Sequence, residues 1–142
     1  MTEFNKILVP VIGTEADDEA IRLACRLAKK DKGKIWAVYV ITVKRALPVD
    51  AEIKSETIKG EGILDHMEMT AEEEGCEINT DILQAREASL AIVDEAVEQG
   101  VDLIVMGVTY GTRFGQFSLG SVVPYVLKNA PCRVILDHQP TA

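Results

Sequence analysis

Short apolar segments alternate with helix-type patterns along this chain, and that alternation limits the folds open to it. Lys6–Ile12 and Val101–Met106 are almost continuous apolar runs between polar residues, which is typical of strands buried on both faces. Glu15–Lys30 instead places apolar residues at helical spacing, with acidic residues at its start and basic residues at its end. That charge distribution complements a helix dipole. We therefore expect strands and helices to follow one another from the first strand onward.

The complete pattern predicts five strands and four helices in strict alternation. The strands are expected at Lys6–Ile12, Ile35–Val43, Cys76–Leu83, Val101–Met106 and Arg133–Leu136. The helices are expected at Glu15–Lys30, Ile63–Gly75, Glu87–Gln99 and Ser121–Asn129. This order implies an α/β fold with one open parallel sheet and helices on both faces. The segment Ala46–Gly62 is expected either to be disordered or to fold over a ligand cleft as a lid.

Size and charge restrict the class of protein further. A chain of 142 residues is expected to form a single domain over residues 1–142. Its net charge of −8 opposes binding to nucleic acid, and its apolar runs are too short for membrane insertion. The three cysteines are scattered without metal-ligand spacing, and the first residues lack the pattern of a signal peptide. These features together predict a cytoplasmic protein without a metal site.

Ligands of open parallel sheets bind beyond the carboxyl ends of the strands, where the strand order reverses. The loop after the first strand, Gly13-Thr14, and the glycine-containing segment Gly107–Gly120, expected to be a loop, are therefore the candidate binding segments. Gly120-Ser121 lies where the free N–H groups of a helix start would attract an anion. The candidate phosphate contacts in and around the second segment are Gly107, Thr109, Gly111, Arg113, Gly120 and Ser121. The alternative interpretation is a glycine turn followed by Ser121 as an ordinary helix N-cap.

Several segments resemble the universal stress protein (UspA) superfamily over almost the whole length. They are the opening ILVPV, the end of the second strand at Val38–Val40, DEAVEQGVDLIVMG, the Gly120-Ser121 turn and the closing YVLKNAPCRVIL. Nucleotide-binding members share a pattern of Gly, two residues, Gly, nine residues, then Gly and Ser or Thr. Its frame fits Gly107, position 110 and Gly120-Ser121 in this chain.

The resemblance implies an adenine nucleotide alpha hydrolase-like fold with strand order 3-2-1-4-5. It also implies a homodimer through the last strand, Arg133–Leu136, whose apolar residues suit pairing at a sheet edge. The implied ligand is ATP or AMP, with Mg²⁺ accompanying ATP. Carried onto this chain, the implied contact residues are Pro10, Val11, Ile12, Gly13, Thr14, Val40, Gly107, Thr109, Gly111, Arg113, Gly120, Ser121 and Val122.

Three residues depart from the pattern of ATP-binding members. Tyr110 replaces the second glycine, Ile12 replaces an aspartate after the first strand, and Arg86 adds bulk and charge near the cleft. Two histidines, His66 and His138, have no partnered nucleophile visible in the sequence, which argues against catalysis. Three hypotheses stay open. The first is a dimeric stress-response protein that binds an adenine nucleotide and is recognised by a regulatory partner. The second is a ligand-free adaptor whose cleft is closed by Ile12 and Tyr110. The third is a slow ATPase.

Overall fold

Ten elements build the fold, and the sequence periodicity accounts for most of their bounds. The computed structural model describes residues 4–30, 32–111, 116–117 and 122–139. The strands are β1 (Lys6–Val11), β2 (Lys34–Thr42), β3 (Asn79–Ala85), β4 (Leu103–Gly111), β5 (Gln116–Phe117) and β6 (Arg133–Gln139). The helices are α1 (Glu15–Lys29), α2 (Lys54–Glu73), α3 (Ala88–Gln99) and α4 (Val122–Asn129).

Five parallel strands form the main sheet in the order β3-β2-β1-β4-β6. Counted without the two-residue β5, this is the predicted order 3-2-1-4-5, so the predicted fold is confirmed. The strand β5 is an addition that pairs antiparallel with the end of β4, Tyr110 opposite Phe117. The first and last strands of this order, β3 and β6, are the two edges of the sheet.

Helices cover both faces of the sheet, and each face has its own apolar core. Alternate residues of a strand point to opposite faces, so Ile7 and Val9 pack into one core cluster and Leu8 into the other. The first cluster, called here the α1/α2 core, contains residues of those helices such as Ile21 and Leu64. The second, the α3/α4 core, contains Ile92 and Val126. No helix in the described ranges is long and apolar enough to cross a membrane.

The largest differences from the predicted strand bounds occur where pairing partners override the local pattern. Gly107–Gly111 belongs to β4 rather than to a loop, since β6 reaches Gln139 and pairs with β4 up to Thr109. The strand β3 begins at Asn79 rather than at Cys76. Asn79 is the first residue in register with β2, whereas the Cys76 N–H still bonds to the Ala71 carbonyl at the end of α2.

The connection after β2 is ordered, so the expectation that Ala46–Gly62 is disordered was wrong. Helix α2 already starts at Lys54 and includes Gly60, where an added Cβ would lie 2.6 Å from the Tyr39 ring. The Tyr39 hydroxyl donates a hydrogen bond to Glu56 Oε2 (3.2 Å), which fastens the first turn of α2 to β2. The side-chain amide of Gln84 donates to the Val49 and Ala51 carbonyls, and Arg86 donates to the Val43 and Lys44 carbonyls. Arg86 therefore fastens the chain leaving β2 to the end of β3.

Candidate functional site

A crevice opens between β1 and β4 at their carboxyl ends. The two strands pair at Ile7↔Leu103 and Leu8↔Ile104, and the described ladder stops there although both strands continue, to Val11 and Gly111. Pro10 has no N–H to extend the ladder. The strand order reverses between β1 and β4, because β2 lies on one side of β1 and β4 on the other. Ligands of open α/β sheets bind at such a point, and we call this place the β1–β4 crevice.

The loop after β1, residues Ile12–Thr14, is held by a carboxylate from within the chain. The N–H groups of Ile12, Gly13 and Thr14 all donate to Asp17 Oδ2, at 3.1, 2.6 and 3.0 Å. Gly13 permits this convergence, since it adopts φ +97°, a left-handed conformation that other residues rarely take. These are the N–H groups that would otherwise be free to bind a ligand anion at the end of β1.

Asp17 itself lies in the first turn of α1 and is almost fully buried, with 1% of its surface exposed. Burial raises the pKa of its carboxyl above the ordinary aspartate value, the three backbone N–H groups act in the opposite direction, and the Asp18 charge raises it further. The prediction treated Asp17 only as one of several acidic residues at a helix start. The spacing Thr14-x-x-Asp17 resembles a capping box, and that signal could have indicated a local function for this carboxylate.

Three of the predicted contact residues lie on the α3/α4 face of the sheet. Ile12, Val40 and Val122 are each half-buried and pack against the α3/α4 core. Ile12 and Val40, expected beside adenine and ribose, and Val122, expected beside the phosphates, thus lie on the same face of the sheet. Pro10 and Val11 are buried within β1, and Val11 packs into the α1/α2 core on the opposite face.

Gly107 has a packing function that the sequence did not indicate. A Cβ atom added there would overlap the main-chain carbonyl of Ala16 in α1. The missing side chain lets the first turn of α1 lie directly on β4. Thr109 is half-buried and opposite Gln139 in β6, and Gly111 ends β4.

The phosphate half of the predicted site falls mostly outside the described residues. Arg113, Gly120 and Ser121 lie there, as does the side chain of Tyr110. Their predicted contacts with phosphate stay predictions. Within the described residues, no group of three or more His, Cys, Asp or Glu side chains is arranged to hold a metal ion.

A second cavity, of about 400 Å³, lies beside the loop after β1 and is bounded by α2. His66 lines it and pairs with Asp18, with 3.0 Å between His66 Nε2 and Asp18 Oδ1. His66 is exposed. In the described structure this histidine contacts a carboxylate rather than a hydroxyl or thiol nucleophile.

The fold defines a small doubly wound α/β protein whose strand order reverses between β1 and β4. Residues 3–138 match the universal stress protein family. Universal stress protein MJ0531 of Methanocaldococcus jannaschii is 36% identical over 143 residues, which cover 96% of this chain and 84% of that protein. This chain therefore belongs to the universal stress protein family.

Solved structures with low sequence identity share the fold. The universal stress protein from Archaeoglobus fulgidus in complex with dAMP has a TM-score of 0.75 at 23% identity, with 95% of this chain and 98% of that chain covered. A universal stress protein family protein from Arabidopsis thaliana with AMP bound has a TM-score of 0.67 at 19% identity, with 95% and 92% covered.

Proposed function

We propose that this protein is a regulatory protein that binds an adenine nucleotide in the β1–β4 crevice. The observation that carries the proposal is that Ile12, Val40 and Val122 are half-buried and pack against the same α3/α4 core. Related folds in the same family hold dAMP or AMP. An apolar floor with polar groups at its rim is the usual composition of a site for a planar heterocycle.

The adenine and the phosphate of the nucleotide would contact different groups of the protein. The adenine would pack on Ile12 and Val40 and take a backbone contact from the end of β2. The phosphate would lie toward Thr109, Gly111 and Arg113, and toward the N–H groups at Gly120–Val122 before and at the start of α4.

The loop after β1 favours a ligand of low charge. Ile12 offers no oxygen to a ribose hydroxyl or to Mg²⁺, and the N–H groups of that loop already bind the Asp17 carboxylate. Each further phosphate charge also adds repulsion from Asp17 and from a chain of net charge −8. AMP is therefore the proposed ligand in preference to Mg²⁺–ATP.

The same observations favour a second candidate function. If Ile12 and Tyr110 close the crevice, the protein acts as a ligand-free adaptor whose loop after β1 is completed by Asp17. In either case we propose a cytoplasmic homodimer joined through Arg133–Leu136 of the β6 edge. A protein partner would recognise the state of this dimer. Val134 and Leu136 are partly exposed on that edge strand.

Calorimetric titration separates the two candidates. We expect heat on addition of AMP, weaker binding of ATP, and little gain for ATP when Mg²⁺ is added. The substitution Tyr110→Gly should tighten AMP about tenfold, which corresponds to ~1.4 kcal/mol. The substitution Ile12→Asp should increase the dependence of ATP binding on Mg²⁺. Ile58→Asp, on the exposed surface of α2, is the matched control and should change nothing. Absence of heat with every nucleotide at millimolar concentration would exclude nucleotide binding and leave the adaptor.

A further inference from the structure

A separate cavity of about 700 Å³ lies at the opposite end of the sheet from the β1–β4 crevice. Lys34 and Asn79, the first residues of β2 and β3, line it, and so do Cys25 of α1 and Cys76 from the connection after α2. We call this cavity the thiol pocket. None of the functions proposed above uses it.

The two cysteines of the thiol pocket belong to the same packing unit. Cys25 is 1% exposed and is part of the α1/α2 core, and Cys76 is half-buried and packs against that core. Both are free thiols. Burial raises the pKa of Cys25 above the ordinary thiol value, and the neighbouring Cys76 raises it further. The third cysteine, Cys132, packs against the α3/α4 core on the other face of the sheet.

Three lysines and the acidic Glu77 lie around the more accessible thiol, Cys76. Lys29, Lys32 and Lys34 line the thiol pocket, and Lys29 Nζ donates a hydrogen bond to the Glu74 carbonyl (3.3 Å) beside the Gly75-Cys76 turn. Exposure decides which thiol reacts first, because an oxidant must reach the sulfur from solvent. Cys76 is therefore the residue at which oxidation would start, and Cys25 is the thiol placed to complete it.

We propose that Cys25 and Cys76 form a redox-active pair that a hydroperoxide converts into an intramolecular disulfide. The Cys76 thiolate would attack one peroxide oxygen, break the O–O bond and become a sulfenic acid, while hydroxide leaves and takes up a proton as water. The Cys25 sulfur would then attack the sulfenic sulfur, form the S–S bond, and release the second oxygen as water. In total, two thiols and one hydrogen peroxide give one disulfide and two waters. The bond would join α1 covalently to the connection between α2 and β3.

The test is oxidation of the reduced full-length protein by hydrogen peroxide, followed by thiol counting under denaturing conditions. Free thiols should fall from three to one, with a mass lower by two hydrogen atoms and full reversal by dithiothreitol. Tryptic digestion without reduction should release residues 23–26 linked to residues 60–86. The Cys132→Ser variant is the matched control and should still form this linked peptide.

Variants at the pair keep the proposal falsifiable. The half-exposed Cys76→Ser should abolish the linked peptide without unfolding the protein, and Cys25→Ala should abolish it independently. A linked peptide that contains residues 129–133, disulfide-joined dimers on a non-reducing gel, or a Cys76 sulfinic acid without any crosslink would each overturn the proposal. So would three unreacted thiols after prolonged exposure to peroxide.

Discussion

Replacing the Asp17 carboxylate should loosen the start of α1 and the loop after β1 together. In Asp17→Ala, the N–H groups of Ile12, Gly13 and Thr14 lose a common acceptor at 2.6 to 3.1 Å. The helix also loses the half of its capping box in which the Asp17 side chain accepts the Thr14 N–H. The substitution Asp17→Asn keeps an oxygen in the same place but removes the charge.

The expected loss for Asp17→Ala is about 2–3 kcal/mol of unfolding free energy. A hydrogen bond to a charged group contributes ~1.5–3 kcal/mol. The capping interaction, worth ~1 kcal/mol, is the Thr14 bond itself and is not added a second time. The full sum is not expected, because Gly13 is exposed and water can reach part of the loop, and because burial of the carboxylate opposes folding. Asp17→Asn should lose at most about 1 kcal/mol, because one acceptor oxygen is kept.

Urea denaturation followed by circular dichroism measures these differences. The matched control is Asp18→Ala, the next residue, whose carboxylate pairs with exposed His66 and should contribute less than about 1 kcal/mol. A loss for Asp17→Ala no larger than that of Asp18→Ala would refute the assignment of Asp17 as the acceptor that holds the loop.

The pH dependence has a definite sign. The pKa of Asp17 is raised in the folded protein, so the folded state binds this proton more tightly than the unfolded state does. The resulting stabilisation is fully present below the unfolded-state pKa of about 3.9. That contribution is lost as the pH rises through the folded-state pKa. The stability advantage of the original chain over Asp17→Asn should therefore be smaller at pH 7 than near pH 4. An advantage that increases toward neutral pH would contradict the raised pKa.

Two further predictions concern packing and assembly. Gly107→Ala should lower the free energy of unfolding by about 1–3 kcal/mol, because the new Cβ overlaps the Ala16 carbonyl. Gly62→Ala lies in open space on α2 and should raise it by about 0.5–1 kcal/mol. Thermal unfolding of both variants checks this pair, and equal effects would contradict it. Leu136→Lys on β6 should convert a dimer into a monomer in analytical ultracentrifugation, while Ile58→Lys on α2 should not. A Leu136→Lys variant that stays dimeric would place the interface elsewhere.

The strands and their order could be predicted because periodicity and burial agree along most of this chain. The run Lys6–Ile12 ends one residue early as β1, and the helix predicted at Glu87–Gln99 begins one residue late as α3. Prediction failed where a partner distant in sequence decides the local structure. The extension of β4 to Gly111 depends on its pairing with β6. Helix α2 starts early, at Lys54, where the hydrogen bond from Tyr39 to Glu56 holds its first turn against β2.

The candidate site, like the fold, could be predicted from the sequence only in part. The segments that form the β1–β4 crevice follow from topology, since loops after neighbouring parallel strands must lie at the same edge. The contact of Gly107 with Ala16 and the proximity of Cys25 and Cys76 could not be read from spacing. Fifty-one positions separate the two cysteines in the sequence, and they meet because α1 and the end of α2 cover the same face of the sheet.

The Asp17 carboxylate explains how the ligand-free fold stays stable without the aspartate that Ile12 replaces. Ile12 stands where the resemblance predicts an aspartate, so this chain lacks a carboxylate at the end of β1. The three N–H groups of the loop still require an acceptor, because unsatisfied N–H groups at a partly buried turn are costly. Asp17 supplies that acceptor from the first turn of α1. The N–H groups of this loop therefore have their acceptor without a nucleotide. Under the proposed function, AMP would derive its affinity from the apolar surface and from the phosphate contacts on the other side of the crevice.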